Sequence, residues 1–239
     1  MPAYLEITTV VHCVNVCCYC PQTLLIAKYN NIPEKRMSLE TFKTCIDKIP
    51  KDVIIDFSGY AEPFLNQKAP EMMIYAIEKG HKVRLFTTLV GLTLESLDKI
   101  SNLNFSFVDV HLPDDDGLLK CDVDDKYMEV AHKFKEKMKI NNSHVYGKPH
   151  HKLQPLFPNM RVMQASTQDL HTRANNVNTS AIEIKKHDYI TGNIDCDVIR
   201  REGGSLLNHN VLLPNGDIMM CCMDYGLEHK FGNLLRDSY

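Results

Sequence analysis

The sequence predicts an α/β protein: an open or closed (β/α) barrel over most of the chain, followed by a small β appendage. Three observations point there. Short β-rich runs alternate with helical patterns through the first two-thirds of the 239 residues. Strict strand–helix alternation implies parallel pairing, because the helix supplies the crossover. Past residue 166 this rhythm gives way to a polar stretch and then to Asn215-Gly216 between apolar runs, a strong hairpin signal.

The strands expected in order are YLEITTVV (4–11), DVIIDFSG (52–59), KVRLFTTL (82–89), FSFVDVHL (105–112) and MRVMQAS (160–166). Helices are expected over 38–49, 69–79, 93–101 and 125–138. The first begins at Ser38 and carries Thr41, Phe42, Cys45, Ile46 and Ile49 at helical spacing. Residues 140–158, interrupted by Pro, Gly and His, read as a long surface connection or lid. The barrel domain is placed at 1–180 and the extension at 181–239. In such folds chemistry collects at the carboxyl ends of the strands.

Composition narrows the function classes. A 44% hydrophobic, 24% charged chain has the makings of a sizeable core. The net charge of −3 gives no electrostatic case for nucleic acid or an anionic membrane as partner. No apolar run approaches the ~18 residues of a membrane span. The start, MPAYLEITTVVHC, lacks the basic lead and cleavage site of a secretory signal, so a reducing cytoplasm is expected. There, nine cysteines at clustered spacings read as metal ligands rather than disulfide partners.

The stretch HCVNVCCYCPQ (12–22) packs four of those cysteines into eight positions. Cys13, Cys17 and Cys20 form C-x3-C-x2-C directly after the first expected strand. Three thiolates from one tight loop can hold three irons of a [4Fe–4S] cube, leaving the fourth iron free to bind a substrate-like molecule. Cys18 adjoins Cys17 and points away from it, so it reads as a bystander. Cys17-x-x-Cys20 also suits half of a zinc site, which needs four closed ligands, or a redox dithiol opening a helix.

This spacing, with Tyr19 directly before the last cysteine, resembles the radical S-adenosylmethionine (radical SAM) superfamily. The resemblance implies a partial (βα)6 barrel and a cluster whose open iron chelates the amino and carboxylate groups of S-adenosylmethionine. One electron, from a donor such as flavodoxin or ferredoxin, would cleave the sulfonium. The 5′-deoxyadenosyl radical so released would take hydrogen from a substrate.

Other strand ends carry the same resemblance. SGYAEPFLN resembles the GGEP turn, with Gly59, Glu62 and Pro63 in place and Tyr60 and Ala61 replacing part of it. Glu62 would meet the cofactor's amino group by a charge-assisted hydrogen bond. Thr87 stands where relatives have a Thr-Asn-Gly turn, and His111 closes the fourth strand, within reach of ribose or substrate. Gln164 and Ser166 close the fifth. Arg173, in HTRANN, resembles a basic turn of relatives with a second cluster and suits a cofactor carboxylate or an anionic substrate.

Residues 196–235 resemble the SPASM and shorter twitch extensions, which hold an auxiliary [4Fe–4S] cluster; Cys196, Cys221 and Cys222 are the implied ligands. Relatives complete that site with cysteines beyond the GNL segment, where this chain ends at Tyr239. A zinc knuckle of Cys196, Cys221, Cys222 and His209 or His229 is the alternative. HVYGKPHHK (144–152) carries three histidines that could bind a metal but reads as a flexible, solvated loop, and PDDDGLLKCDVDD as an acidic surface without calcium-loop register. Cys45 reads as core, and Cys121 has no assigned role.

The function implied is net oxidation of a carbohydrate or aminocyclitol-like molecule. A peptide maturase or epimerase shares the same modules. The reading from a different class is a non-catalytic iron–sulfur or zinc protein acting as electron carrier or sensor.

Overall fold

The computed structural model describes residues 3–164, 173–177 and 209–239. The first half holds β1 (Tyr4–Ile7), β2 (Val16–Cys17), α1 (Gln22–Lys28), α2 (Leu39–Ile46), β3 (Ile54–Phe57), α3 (Ala69–Glu78), β4 (Val83–Thr87) and α4 (Leu94–Ile100). Then come β5 (Phe107–His111), β6 (Leu119–Lys120), α5 (Asp125–Lys137), β7 (Asn142–Tyr146), β8 (Arg161–Met163), β9 (His209–Leu212), β10 (Asp217–Met219) and β11 (Lys230–Asn233). Strands β1, β3, β4, β5, β7 and β8 pair in that order, all parallel, as a (βα)6 barrel requires.

Alternation along each strand divides the two faces. Leu5, Ile7, Ile55, Phe57, Val83, Leu85, Val108 and Val110 pack in one core with helical Phe42, Met72, Leu97 and Phe134. The residues between them, Glu6, Asp56, Arg84, Asp109 and His111, therefore face the other way and make that side polar. There Arg84 forms a two-pronged ion pair with Asp56, and His209 Nδ1 lies 3.4 Å from Glu6. Three helices start on side-chain caps: Ser38, Thr93 and Asp124 accept from the backbone N–H groups of Thr41, Ser96 and Tyr127.

Two expectations need correction. The stretch 140–158 is not a connection throughout, because Asn142–Tyr146 forms β7 between β5 and β8. Its polar residues hid it: only Val145 turns toward the buried side, and pairing on both edges makes the strand. The first strand also stops early, at Ile7, and residues 8–11 already belong to the loop beyond it. The expected hairpin is present, β9 against β10 with Gly216 at φ +85°. β9 also pairs parallel with β1, so the hairpin continues the same sheet. The expected boundary at residue 180 lies outside the described residues. Among the described residues no helix is long and apolar enough to cross a membrane.

One glycine fixes how β1 and β3 meet at the carboxyl end. Gly59 has φ +61°, and a Cβ there would lie 2.4 Å from Thr8 Oγ1 and 2.8 Å from the Thr8 nitrogen. The next residue, Tyr60, donates its N–H to Thr8 Oγ1 at 3.0 Å. Gly59→Ala combines backbone strain with a collision against main chain, and is expected to cost about 3 kcal/mol. A thermal melt should show a midpoint lower by about 10 °C; an unchanged midpoint would mean the turn does not bear on β1.

Candidate active site

The cysteine loop leaves the carboxyl end of β1 and is held along its length by backbone bonds. β2 pairs antiparallel with β6, setting Cys17 opposite Leu119, and Cys18 N–H donates to the Leu118 carbonyl at 2.9 Å. Cys20 N–H then bonds back to the Cys17 carbonyl at 3.1 Å, tightening the turn into α1. Cys13, Cys17 and Cys20 are each partly buried. Burial pushes the Cys13 thiol up to about 11, against the pull of hydrogen bonds from the backbone N–H groups of Glu62 and Asn15. Burial also pushes Cys17 well up, and the neighbouring Cys20 and Cys13 add to it, while the Tyr19 hydroxyl donates to its sulfur. Cys20 Sγ lies 3.3 Å from the Tyr225 hydroxyl and 3.5 Å from Gln22 Nε2. The three sulfurs thus sense one another and are surrounded by N–H and O–H donors. That is the environment a set of thiolates needs, and donors to sulfur tune an iron–sulfur cluster. Cys18 also acts on Cys17, and burial and then Asp114 raise its own thiol.

Glu62 stands beside this loop and is almost wholly buried, at 5% exposure. Its Oε1 accepts from Thr87 Oγ1 at 2.8 Å and from Phe64 N–H at 3.3 Å, capping the short helical turn Pro63–Leu65. Its Oε2 accepts from Thr88 N–H at 2.6 Å and from the Thr88 hydroxyl at 2.7 Å. Burial pushes Glu62 above the ordinary carboxylate range, and the donors of Thr88, Thr87 and Phe64 pull it back. Asn15, inside the cysteine loop, donates Nδ2 to the same Thr88 hydroxyl at 2.7 Å. The ends of β1, β3 and β4 are therefore joined by one polar chain, Asn15–Thr88–Glu62. The buried Asn15 Oδ1 has no hydrogen-bond partner among the described residues.

No protein-family model and no curated protein matches the sequence. Solved structures do. One is BtrN in complex with AdoMet and 2-DOIA, at 16% identity and a TM-score of 0.59, covering 100% of this chain and 80% of BtrN. Streptococcus suis SuiB bound to precursor peptide SuiA matches at 13% identity and a TM-score of 0.62, over 100% of this chain and 63% of SuiB. Native anSMEcpe with bound AdoMet matches at 14% identity and a TM-score of 0.57, over 99% of this chain and 79% of anSMEcpe. The chain has the radical SAM fold. At these identities the likeness is one of architecture.

Within the radical SAM fold the other expected site residues fall into two groups. On one side, the Tyr19 hydroxyl lies 3.0 Å from His111 Nε2 and its ring stacks on that histidine. His111 stacks in turn on His144, whose Nδ1 lies 2.9 Å from Asp109 Oδ1. Burial and the neighbouring His144 hold His111 well below the usual histidine range, and so neutral.

On the other side, Tyr225 joins the cysteine loop to the end of the hairpin. It touches Cys20, packs its ring 4.6 Å from that of Tyr60, and lies beneath the Arg173 guanidinium at 5.8 Å. Arg173 opens a left-handed turn, with φ of 49°, 52° and 64° at residues 173 to 175, and its Nη1 reaches Met223 Sδ at 3.3 Å. Neither of these two partners is an acid. Cys221 and Cys222 hydrogen-bond to each other, which lowers Cys221 to about 7 and drives Cys222 well up. The Tyr60 hydroxyl fixes this pair by donating to the Cys221 carbonyl at 2.7 Å.

Thr87 touches Glu62 rather than open space, and Gln164 is exposed just past β8. Ser166 and Cys196 lie outside the described residues. His209 and His229 are taken up by Glu6 and Asp224. Sequence reasoning missed Asn15, Gln22, Thr88 and His144. For Thr88 a signal existed, a second threonine after β4, but it departed from the expected turn.

Proposed function

We propose that the chain is a radical SAM enzyme that carries a [4Fe–4S] cluster on Cys13, Cys17 and Cys20 and oxidises a polar substrate. Those three thiolates would hold the cluster, which, reduced by an external one-electron donor, would supply the electron for reductive cleavage of S-adenosylmethionine. The observation that supports this reading is the hydrogen-bonded chain Asn15–Thr88–Glu62, which joins the thiol loop to the acidic turn.

The chain's own residues have distinct parts. Glu62 orients the cofactor's amino group, which would take the place of the Thr88 hydroxyl on Oε2, since about four acceptor sites serve the four donors already there. With the cysteines ionised as cluster ligands, Tyr19 and Tyr225 would donate to the sulfurs of Cys17 and Cys20 and fix their positions. Arg173, held against Met223 and the Tyr225 ring, offers its cation to a carboxylate. Net oxidation removes one further electron and one proton, and the stacked His111–His144–Asp109 set lines the polar face on which that proton would leave. Cys221 and Cys222, with Cys196, would hold a second cluster that takes up the electron.

That polar face suits a substrate bearing hydroxyl or amino groups, and an aminocyclitol-like molecule is proposed ahead of a peptide. BtrN was solved with 2-DOIA and SuiB with a precursor peptide, so the fold accommodates either size. The test is anaerobic reconstitution, reduction with dithionite and addition of S-adenosylmethionine. Chromatography should show 5′-deoxyadenosine; none from a protein with its cluster demonstrably full would contradict the enzymatic reading.

A further inference from the structure

We propose that Asp115, His150 and His151 form a site for a divalent cation of the zinc class, on the rim of a cleft of about 730 Å³. The site is separate from the cysteine loop and does not rest on the radical SAM reading. Asp115 Oδ1 lies 3.2 Å from His151 Nδ1 and 3.8 Å from His150 Nε2. The three ligand atoms all fall within 4.8 Å of one another. A tetrahedral ion with bonds of about 2.0–2.1 Å needs its ligand atoms roughly 3.4 Å apart, so a small side-chain rotation closes the set. Two imidazoles and one carboxylate are a mixed donor set that selects borderline transition ions over calcium or magnesium.

The backbone holding these ligands is built without the ion. Asp115 N–H donates to the Lys148 carbonyl at 2.8 Å, and Asp114 bridges Pro149. Lys148 N–H donates to Asp116 Oδ2 at 2.7 Å, and Asp114 accepts from the N–H groups of Leu118 and Leu119 at 2.9 and 2.7 Å. The His150 carbonyl accepts from both Leu153 and Gln154. The two loops are thereby locked together before any ligand arrives, and little ordering remains to oppose binding.

Lys148 Nζ stands 3.8 Å from Asp115 on an exposed side chain and would yield to a metal ion. Ligation by His150 Nε2 puts its proton on Nδ1, so the 3.3 Å contact from Lys152 N–H is given up. Asp115 and His150 both line the cleft, so the fourth position of the ion is open to an oxygen or nitrogen donor of whatever occupies it.

The test is equilibrium dialysis of the full-length, iron-loaded protein against Zn²⁺, with metal analysis, and the visible spectrum with Co²⁺ as second probe. One equivalent of zinc should bind beyond the iron, and bound cobalt should lack sulfur charge-transfer bands. Asp115→Asn and the double variant His150→Ala/His151→Ala should each weaken zinc binding at least tenfold, with iron content and melting temperature unchanged. Zinc bound equally by wild type and variants, a thiolate-type cobalt spectrum, or no zinc beyond the iron would each overturn the site.

Discussion

Cys17→Ala is expected to yield a protein that folds but retains no open-site cluster and forms no detectable 5′-deoxyadenosine. Cys17 sits between the other two thiols in both senses. It senses Cys20 and Cys13, and β2 pins its backbone opposite Leu119. Two thiolates from one loop cannot hold three corners of a cube, and the backbone of the adjacent Cys18 is held by its own bond to the Leu118 carbonyl. The apolar contacts of the loop barely change on losing one sulfur, so stability should move by less than about 1 kcal/mol. Iron analysis of anaerobically reconstituted protein checks the result. Cys18→Ala is the control and should keep both iron and cofactor cleavage; an empty Cys18→Ala site would show the ligand assignment to be wrong.

Glu62→Gln carries the second-largest expected effect, and it strikes both stability and function. A carboxylate accepts at both oxygens, and here four donors converge on it from Thr87, Thr88 and Phe64. A carboxamide turns one of those acceptors into a donor. In either orientation one backbone N–H, that of Thr88 or of Phe64, then faces the carboxamide NH2 in a buried place, since only the threonine hydroxyls can turn to accept. Leaving that group unsatisfied costs about 1–3 kcal/mol. The melt should fall accordingly, and iron-loaded Glu62→Gln should bind S-adenosylmethionine at least tenfold more weakly by equilibrium dialysis. Thr88→Val isolates one strand of the network, because it removes the hydroxyl shared by Asn15 and Glu62 while keeping the side chain's volume. It should be milder on both readouts. Full S-adenosylmethionine affinity in Glu62→Gln would remove Glu62 from the site.

Much of this architecture was legible because its information is local. The C-x3-C-x2-C loop, Gly59-to-Pro63 and Asn215-Gly216 each lie in a handful of consecutive residues whose spacing is itself the chemistry. Five of the six parallel barrel strands announced themselves by β-rich apolar runs. The sixth, β7, did not, since Asn142, Ser143 and His144 are polar and it owes its form to neighbours on both edges. What joins the site is non-local. Asn15 and Thr88 are 73 residues apart, and Cys20 and Tyr225 are 205 apart. His150 and His151 read as a solvated loop for the same reason, because Asp115 reaches them only through the turn packing of two separate loops. No spacing rule within either segment encodes those meetings.

The central claim is that the thiol loop carries a cluster with one iron open to the nucleotide. Electron paramagnetic resonance of the dithionite-reduced, iron-loaded protein, recorded before and after S-adenosylmethionine is added, tests it most directly. The account predicts that the signal shifts when the nucleotide arrives, and that Cys17→Ala gives no such signal. A full cluster whose spectrum is indifferent to S-adenosylmethionine would contradict it.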